Sequence, residues 1–225
     1  MLKLYGFPVS HYYNMIKHTL LIKGVAFEEV LVMPGADGDY LDKSPLGKIP
    51  CIETEYGFIS ESGAIFDYIE ATYRQPSLMP SDLWGQLKMK ELMKVMELYV
   101  ELQARPLVAA ALGFDQVEQN KIDDATLILT KGFTAIAKLS QFKPYLLGEQ
   151  MTLADIMLRY CLVVINGSAG LPMLDVAGFV NINLNELVPE LAAWQQLMAE
   201  SDVSQQIDAM VIEEMPKMMA ARQHD

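Results

Sequence analysis

The spacing of apolar residues divides the chain into an N-terminal part with strand and helix patterns and a C-terminal part with helix patterns only. In the first part, short apolar or alternating segments bounded by turn residues predict strands at 1–7, 26–32, 49–54 and 57–60. Apolar residues at helical spacing predict helices at 11–23 and 61–73, with a short helical piece over 39–43. The predicted order is therefore β-α-β-α-β-β-α.

The pattern changes after a segment rich in proline and serine, which predicts a linker at 77–86. From residue 83 onward only helical spacing recurs, at 83–112, 120–140, 152–165, 188–199 and 203–213. Pro106 is expected to kink or restart the first of these helices. The chain is thus predicted to be α+β, with an α/β domain at 1–76 and an all-helical domain at 87–225.

Composition narrows the class of protein. The chain has 225 residues, 52% of them hydrophobic, and a net charge of −12, which disfavours a nucleic-acid partner. We found neither a membrane-length apolar run nor a signal-peptide pattern, and Cys51 and Cys161 form no CxxC pair. These features predict a cytoplasmic protein without a disulfide framework, metal site or membrane partner. Because acidic and basic residues balance within residues 1–50, an anionic ligand is expected there.

A proline opens the third predicted strand, directly after Lys48 and Ile49. If the bond between Ile49 and Pro50 is cis, Ile49 presents its backbone outward, and a peptide-like ligand can pair with it like an added strand. The alternative is a trans proline that simply begins an edge strand.

Polar residues stand at the start of two predicted helices. Glu61 and Ser62 lie where unpaired N–H groups and the helix dipole receive a carboxylate, and Glu61 can pair with an ammonium, so together they suit an α-amino acid. The alternative is ordinary capping by Ser60 or Ser62. Ser10, before the first helix, is either an N-cap or a hydrogen-bond donor to an anion.

Five segments, in order and spacing, resemble motifs of the soluble, cytosolic-type glutathione S-transferases, and specifically bacterial members with a serine-type site. They are residues 4–10 (LYGFPVS), 44–50 (SPLGKIP), 61–65 (ESGAI), 148–155 (GEQMTLAD) and 189–194 (PELAAW). The resemblance implies a thioredoxin-like N-terminal domain followed by a helical bundle. It also implies a cis bond before Pro50.

The resemblance implies that glutathione is a co-substrate and that no metal is needed. Ile49 and Pro50 would meet the cysteinyl part, Glu61 and Ser62 the γ-glutamyl head, while Lys48 contacts the glycyl carboxylate or lies in solvent. Thr152 and Asp155 match a capping box, a structural role.

The implied reaction is attack of the glutathione thiolate on a hydrophobic electrophile, as in detoxification, with isomerase or peroxidase activity possible beside it. Lowering a thiol pKa by ~2 units requires about 2.7 kcal/mol, and one hydrogen bond to a charged group supplies about 1.5–3 kcal/mol. Ser10 is the predicted donor, Tyr12 the second choice, and His11 lies between them.

The electrophile is expected between the domains, near Phe7, Tyr99 and Arg105, although Arg105 is equally well explained as an exposed helix charge. The family resemblance further implies a homodimer. Two other interpretations stay open. One is a non-catalytic binder of glutathione, hydrophobic ligands or a protein partner on the same fold, and the other is a largely helical protein without a glutathione site.

Overall fold

The computed structural model describes residues 1–33, 35, 38–168, 171 and 174–222. The chain forms two compact units. The first contains Met1–Ser77 together with the chain from Gln206 onward, and the second contains Leu78–Gln205. The boundaries proposed from the sequence (1–76, 77–86 and 87–225) remain a prediction, and the return of the last segment to the first unit was not anticipated.

The first unit is built on a four-stranded sheet in the order β2-β1-β3-β4. The strands are β1 (Leu2–Gly6), β2 (Phe27–Leu31), β3 (Cys51–Thr54) and β4 (Gly57–Ile59), and the helices are α1 (His11–Ile22) and α2 (Ser62–Thr72). β1 and β2 are parallel, whereas β1–β3 and β3–β4 are antiparallel. The thioredoxin-like order is confirmed, but the short helix predicted over 39–43 is a single 3₁₀ turn, Gly38–Tyr40.

Side chains alternate between the two faces of this sheet, as the strand geometry requires. Leu4 and Ile52 are fully buried on the face that packs against α1 and α2. Tyr5 and Cys51 face the other way and form a buried cluster with Tyr40. The segment that precedes Pro50 therefore covers the second face of the sheet, and its position is tied to β1 and β3.

The second unit is helical, as predicted, and its first helix begins at Leu83, within the range predicted as the linker. Its elements are α3 (Leu83–Met96), a π-helical turn (Glu97–Glu101), α4 (Leu102–Ala104), a 3₁₀ turn (Arg105–Leu107), α5 (Val108–Ala111), α6 (Gln119–Leu139), α7 (Leu153–Asn166), α8 (Val176–Phe179), α9 (Leu184–Leu187), α10 (Leu191–Ala199) and the start of α11 (Asp202–Arg222). Among the described residues, no helix is both long and apolar enough to cross a membrane.

The single helix predicted over 83–112 is divided into shorter pieces. Pro106 lies in the 3₁₀ turn, because proline lacks the N–H that an α-helix interior needs. The π-helical turn packs closely against α6: a Cβ on Gly132 would stand 2.6 Å from the Tyr99 carbonyl oxygen. α7 is the central helix of the unit, with every residue from Leu153 to Ile165 buried.

Candidate functional site

Ser10 is the N-cap residue of α1, four residues after the end of β1. Its Oγ accepts the Tyr13 N–H at 3.3 Å, so the N-cap interpretation is confirmed. A hydroxyl that accepts a hydrogen bond keeps its own proton as a donor, so capping and donation to an anion are compatible. A side chain of α1 fixes the loop that precedes Ser10, because the buried Asn14 Nδ2 donates to the Pro8 carbonyl at 2.8 Å.

The aromatic residues that follow Ser10 differ in accessibility. His11 and Tyr12 are half-buried, and their rings lie 4.7 Å apart. Tyr13 is buried, and its phenol donates to the Glu29 carboxylate, which also receives Lys17 Nζ at 2.7 Å. Burial and the bond to Glu29 raise the Tyr13 pKa. The Tyr13 phenol is therefore engaged in the core by Glu29, whereas Ser10, His11 and Tyr12 remain candidate ligand contacts.

The loop before β3 ends in a cis bond between Ile49 and Pro50, as expected. Pro50 is buried, Ile49 half-buried and Lys48 exposed. The Lys48 carbonyl accepts two hydrogen bonds, from Tyr40 Oη at 2.9 Å and from Ser44 Oγ at 2.7 Å. No hydrogen bond between described residues occupies the Ile49 N–H or C=O.

The N-terminus of α2 has no side-chain cap. Glu61 has the extended N-cap conformation, but neither it nor a neighbouring serine bonds the first N–H groups of the helix. Glu61 is exposed and Ser62, the first helical residue, is half-buried. The capping alternatives at Ser60 and Ser62 are therefore wrong, and the amide groups at this end face outward without a protein acceptor from a capping side chain.

The sheet topology brings Ser10, the Ile49 backbone and the start of α2 to the same end of the sheet. Tyr5, near the end of β1, is opposite Cys51, directly after Pro50. Ile59, at the end of β4, is opposite Ile52. Since α1 follows β1 and α2 follows β4, the starts of both helices and the Ile49 backbone lie at the same end of the sheet. The arrangement offers a peptide edge, two helix N-termini, one carboxylate and two hydroxyls.

Cys51 lies beside this edge but is not a reactive thiol. It is fully buried, and its thiol donates to the Lys43 carbonyl at 3.4 Å. Burial raises its pKa to about 11, so the thiol stays protonated near neutral pH.

The residues predicted near the electrophile belong to different units. Phe7 is half-buried in the first unit. In the second, Tyr99 is half-exposed on the π-helical turn, and Arg105 donates from Nε and Nη2 to Glu101 Oε1 at 2.9 and 2.7 Å. Because Glu101 is fully buried, Arg105 has a structural task that the sequence pattern did not reveal.

Comparison with known proteins agrees with this geometry. Residues 4–77 match the family model of the glutathione S-transferase N-terminal domain. A glutathione S-transferase of Pseudomonas putida is 40% identical over 219 residues, which cover 97% of this chain and 96% of the relative. The chain belongs to the glutathione S-transferase family.

More distant family members extend the likeness. A maleylacetoacetate isomerase of Mus musculus is 23% identical over 163 residues, covering 69% of this chain and 74% of the relative. The structure of glutathione S-transferase III in its apo form aligns with a TM-score of 0.71 at 26% identity, over 93% of this chain and 96% of that one.

Proposed function

We propose that this glutathione S-transferase family member transfers glutathione to hydrophobic electrophiles, and that it binds the tripeptide along the edge formed by Ile49 and the start of α2. The observation that supports this most directly is the pairing of two unused recognition surfaces at one end of the sheet. The backbone of Ile49 makes no hydrogen bond with described residues, and α2 begins without a side-chain cap.

Each part of glutathione has a chemically matched group in this proposal. The γ-glutamyl carboxylate accepts from the N–H groups of α2 and the Ser62 hydroxyl, since a helix N-terminus favours anions. The γ-glutamyl ammonium pairs with Glu61. The cysteinyl backbone pairs with Ile49, held rigidly by the adjacent Pro50, and the exposed Lys48 is free to reach the glycyl carboxylate.

The thiol is activated by hydrogen bonding to its anionic form. Ser10 donates a hydrogen bond to the sulfur, at a helix N-terminus whose dipole also favours negative charge, so the bound thiol releases its proton to solvent more readily. The resulting thiolate attacks the electrophile, and the bond to sulfur forms as the leaving group departs with its electron pair. Tyr12 is the alternative donor. The predicted electrophile contacts at Phe7, Tyr99 and Arg105 remain a prediction.

Replacing Ser10 by alanine tests this role. Without the donor, the pKa of bound glutathione should return toward about 8.5, so kcat/KM with an aryl halide should fall roughly 10–100-fold below pH 7 and much less above pH 9. The pH–rate profile measures the shift. Ser10→Thr keeps a hydroxyl and should keep most of the activity.

Tyr12→Phe is the matched comparison for Ser10→Ala. If Tyr12→Phe moves the pH profile and Ser10→Ala leaves it in place, Tyr12 is the donor. If neither variant moves it, activation by a hydroxyl at this position is wrong. Retention on immobilised glutathione without turnover of aryl halides, enones or peroxides would favour the non-catalytic binder. A similarity to maleylacetoacetate isomerase makes glutathione-dependent isomerisation worth including among the reactions tested.

We further propose that the protein is a cytoplasmic homodimer. Two unbridged, buried cysteines suit a reducing compartment. An apolar patch on the first turns of α3 suits a subunit interface, with Leu83 71% and Trp84 70% exposed and Leu87 beside them.

Trp84→Glu should convert the dimer to a monomer, because a buried unpaired charge at the centre of an interface is strongly unfavourable. Light scattering after size-exclusion chromatography reports the mass. Phe114→Glu changes an equally exposed aromatic residue outside the patch and should leave the mass unchanged. A wild-type protein that is already monomeric at tens of micromolar would refute the dimer.

A further inference from the structure

Two hydroxyl groups hold one carbonyl directly before the proposed peptide-binding edge. Tyr40 Oη and Ser44 Oγ donate to the Lys48 carbonyl oxygen at 2.9 and 2.7 Å. Both side chains are buried, at 7% and 1% exposure, whereas Lys48 itself is exposed. A carbonyl oxygen has two lone pairs, and here both are used by side chains rather than by secondary structure.

The consequence follows from the planarity of the peptide unit. The Lys48 C=O and the Ile49 N–H belong to the same peptide, which is not among the cis bonds of the structure. In a trans peptide these two groups are coplanar and point in opposite directions. Fixing the oxygen inward, between two hydroxyls, therefore fixes the Ile49 N–H in the opposite direction, and that N–H has no partner among the described residues.

We propose that Tyr40 and Ser44 are positioning residues for glutathione, which orient the Lys48–Ile49 peptide so that its N–H meets the cysteinyl carbonyl. This inference rests on the proposed function of the edge. Neither hydroxyl touches the ligand. Both act through the Lys48–Ile49 peptide. By fixing it before binding, they reduce the conformational entropy that this segment loses when it pairs with the tripeptide.

The surrounding contacts keep the two donors in place. The Ser44 N–H donates to the Tyr40 carbonyl at 2.9 Å, and the Gly47 N–H donates to the Ser44 carbonyl at 2.8 Å, closing a tight turn. Gly47 has a φ of 60°, which favours glycine at this point. The Tyr40 ring packs against Tyr5 of β1, with centroids 6.3 Å apart. Burial raises the Tyr40 pKa to about 12, so its phenol remains a donor throughout the range of activity assays.

The test is a double-mutant cycle with Tyr40→Phe and Ser44→Ala, using calorimetric titration of glutathione itself. Each variant removes one donor and leaves the other, so each should weaken the Kd for glutathione roughly 3–10-fold. The double variant releases the carbonyl altogether, and its loss should exceed the product of the two single losses. KM for glutathione should rise in parallel, while kcat and KM for the electrophile should change less than about twofold.

Controls separate positioning from general damage. Tyr56→Phe, on a side chain that is 85% exposed, should leave the Kd unchanged. Thermal unfolding should show that the variants are folded at the assay temperature, and Ser44→Thr, which restores a hydroxyl, should bind more tightly than Ser44→Ala. A double variant that binds glutathione within twofold of wild type, or a loss in kcat alone, overturns the positioning role. If wild type does not bind glutathione at millimolar concentration, the proposed function itself fails.

Discussion

Replacing Asp155 by alanine is expected to lower the free energy of unfolding by about 4 kcal/mol or more, because the carboxylate is the acceptor for four donors in the interior. Oδ2 accepts from the Thr152 N–H at 2.8 Å and the Thr152 hydroxyl at 2.9 Å. Oδ1 accepts from the Leu146 N–H and from Trp194 Nε1, both at 2.9 Å. Alanine would leave these donors without their partner at the start of the central helix.

The size of this effect comes from burial. Asp155 is completely buried, and an unsatisfied buried donor costs about 1–3 kcal/mol, several times the net value of an exposed hydrogen bond. Burial raises the Asp155 pKa, and the hydrogen bonds from Leu146, Trp194 and Thr152 oppose that rise. Asp155→Asn should be destabilised less than alanine, because one side-chain oxygen remains. Its amide group, however, turns one acceptor into a donor that faces other donors.

Guanidinium denaturation followed by tryptophan fluorescence measures the loss in the free energy of unfolding. Trp194 is a suitable probe because its Nε1 donates one of the four hydrogen bonds. The matched control is Asp82→Ala. Asp82 is an exposed N-cap in the same unit with a bond to the Gly85 N–H at 2.9 Å, and its loss should cost about 1 kcal/mol. Equal losses for the two variants would mean that Asp155 is an ordinary cap.

The contacts of Asp155 show which features can be predicted from the sequence and which cannot. The capping box at Thr152 and Asp155 is confirmed, because both residues lie within four positions and the pattern is local. The other two donors lie 9 and 39 residues away, and no local pattern indicates which buried polar atoms will meet. The strand and helix order was likewise readable from periodicity, whereas periodicity did not indicate the π-helical turn, which Gly132 of another helix approaches closely.

In the proposed binding edge, too, local features were predictable and contacts between separate segments were not. Its parts lie within short motifs, so the cis bond before Pro50 and the helix start near Glu61 were both expected from the sequence. The motif gave no reason to single out Ser44 among its seven residues, and Tyr40 lies outside it. Their importance appears only when both hydroxyls are found on the Lys48 carbonyl. Arg105 was ambiguous for a similar reason, since its partner Glu101 is polar in sequence but fully buried in the fold.

Lys23→Met is the second substitution with a large expected effect, a loss of about 3–5 kcal/mol in the free energy of unfolding. The Lys23 side chain is 0% exposed, and its Nζ pairs with Glu70 at 2.8 Å and donates to the carbonyls of Tyr73 and Pro76 at 2.8 and 2.7 Å. Its three protons thus have three acceptors, which is the condition under which a buried ammonium is tolerated. Methionine fills similar volume but removes the ammonium that pairs with the buried Glu70 carboxylate.

This ion pair joins the ends of the two helices whose beginnings form the proposed site. Lys23 is the C-cap residue of α1, and Tyr73 is the C-cap residue of α2. A cation at this point also suits the partial negative charge of helix C-termini. α1 is about 18 Å long at 1.5 Å per residue, so the contact is remote from Ser10. The variant should therefore lose stability first, and any loss of glutathione binding should follow the unfolded fraction.

Far-UV circular dichroism during guanidinium denaturation measures the change, and Lys217→Met is the control. Lys217 is 57% exposed and pairs with Glu213 and Glu214 on the surface of α11, so its loss should cost less than about 1 kcal/mol. Adding Glu70→Met to Lys23→Met should recover part of the stability, because the buried carboxylate that has lost Lys23 is removed while the two carbonyls still lack a donor. If the double variant is no more stable than Lys23→Met, the cost lies in those carbonyls and not in the Glu70 charge.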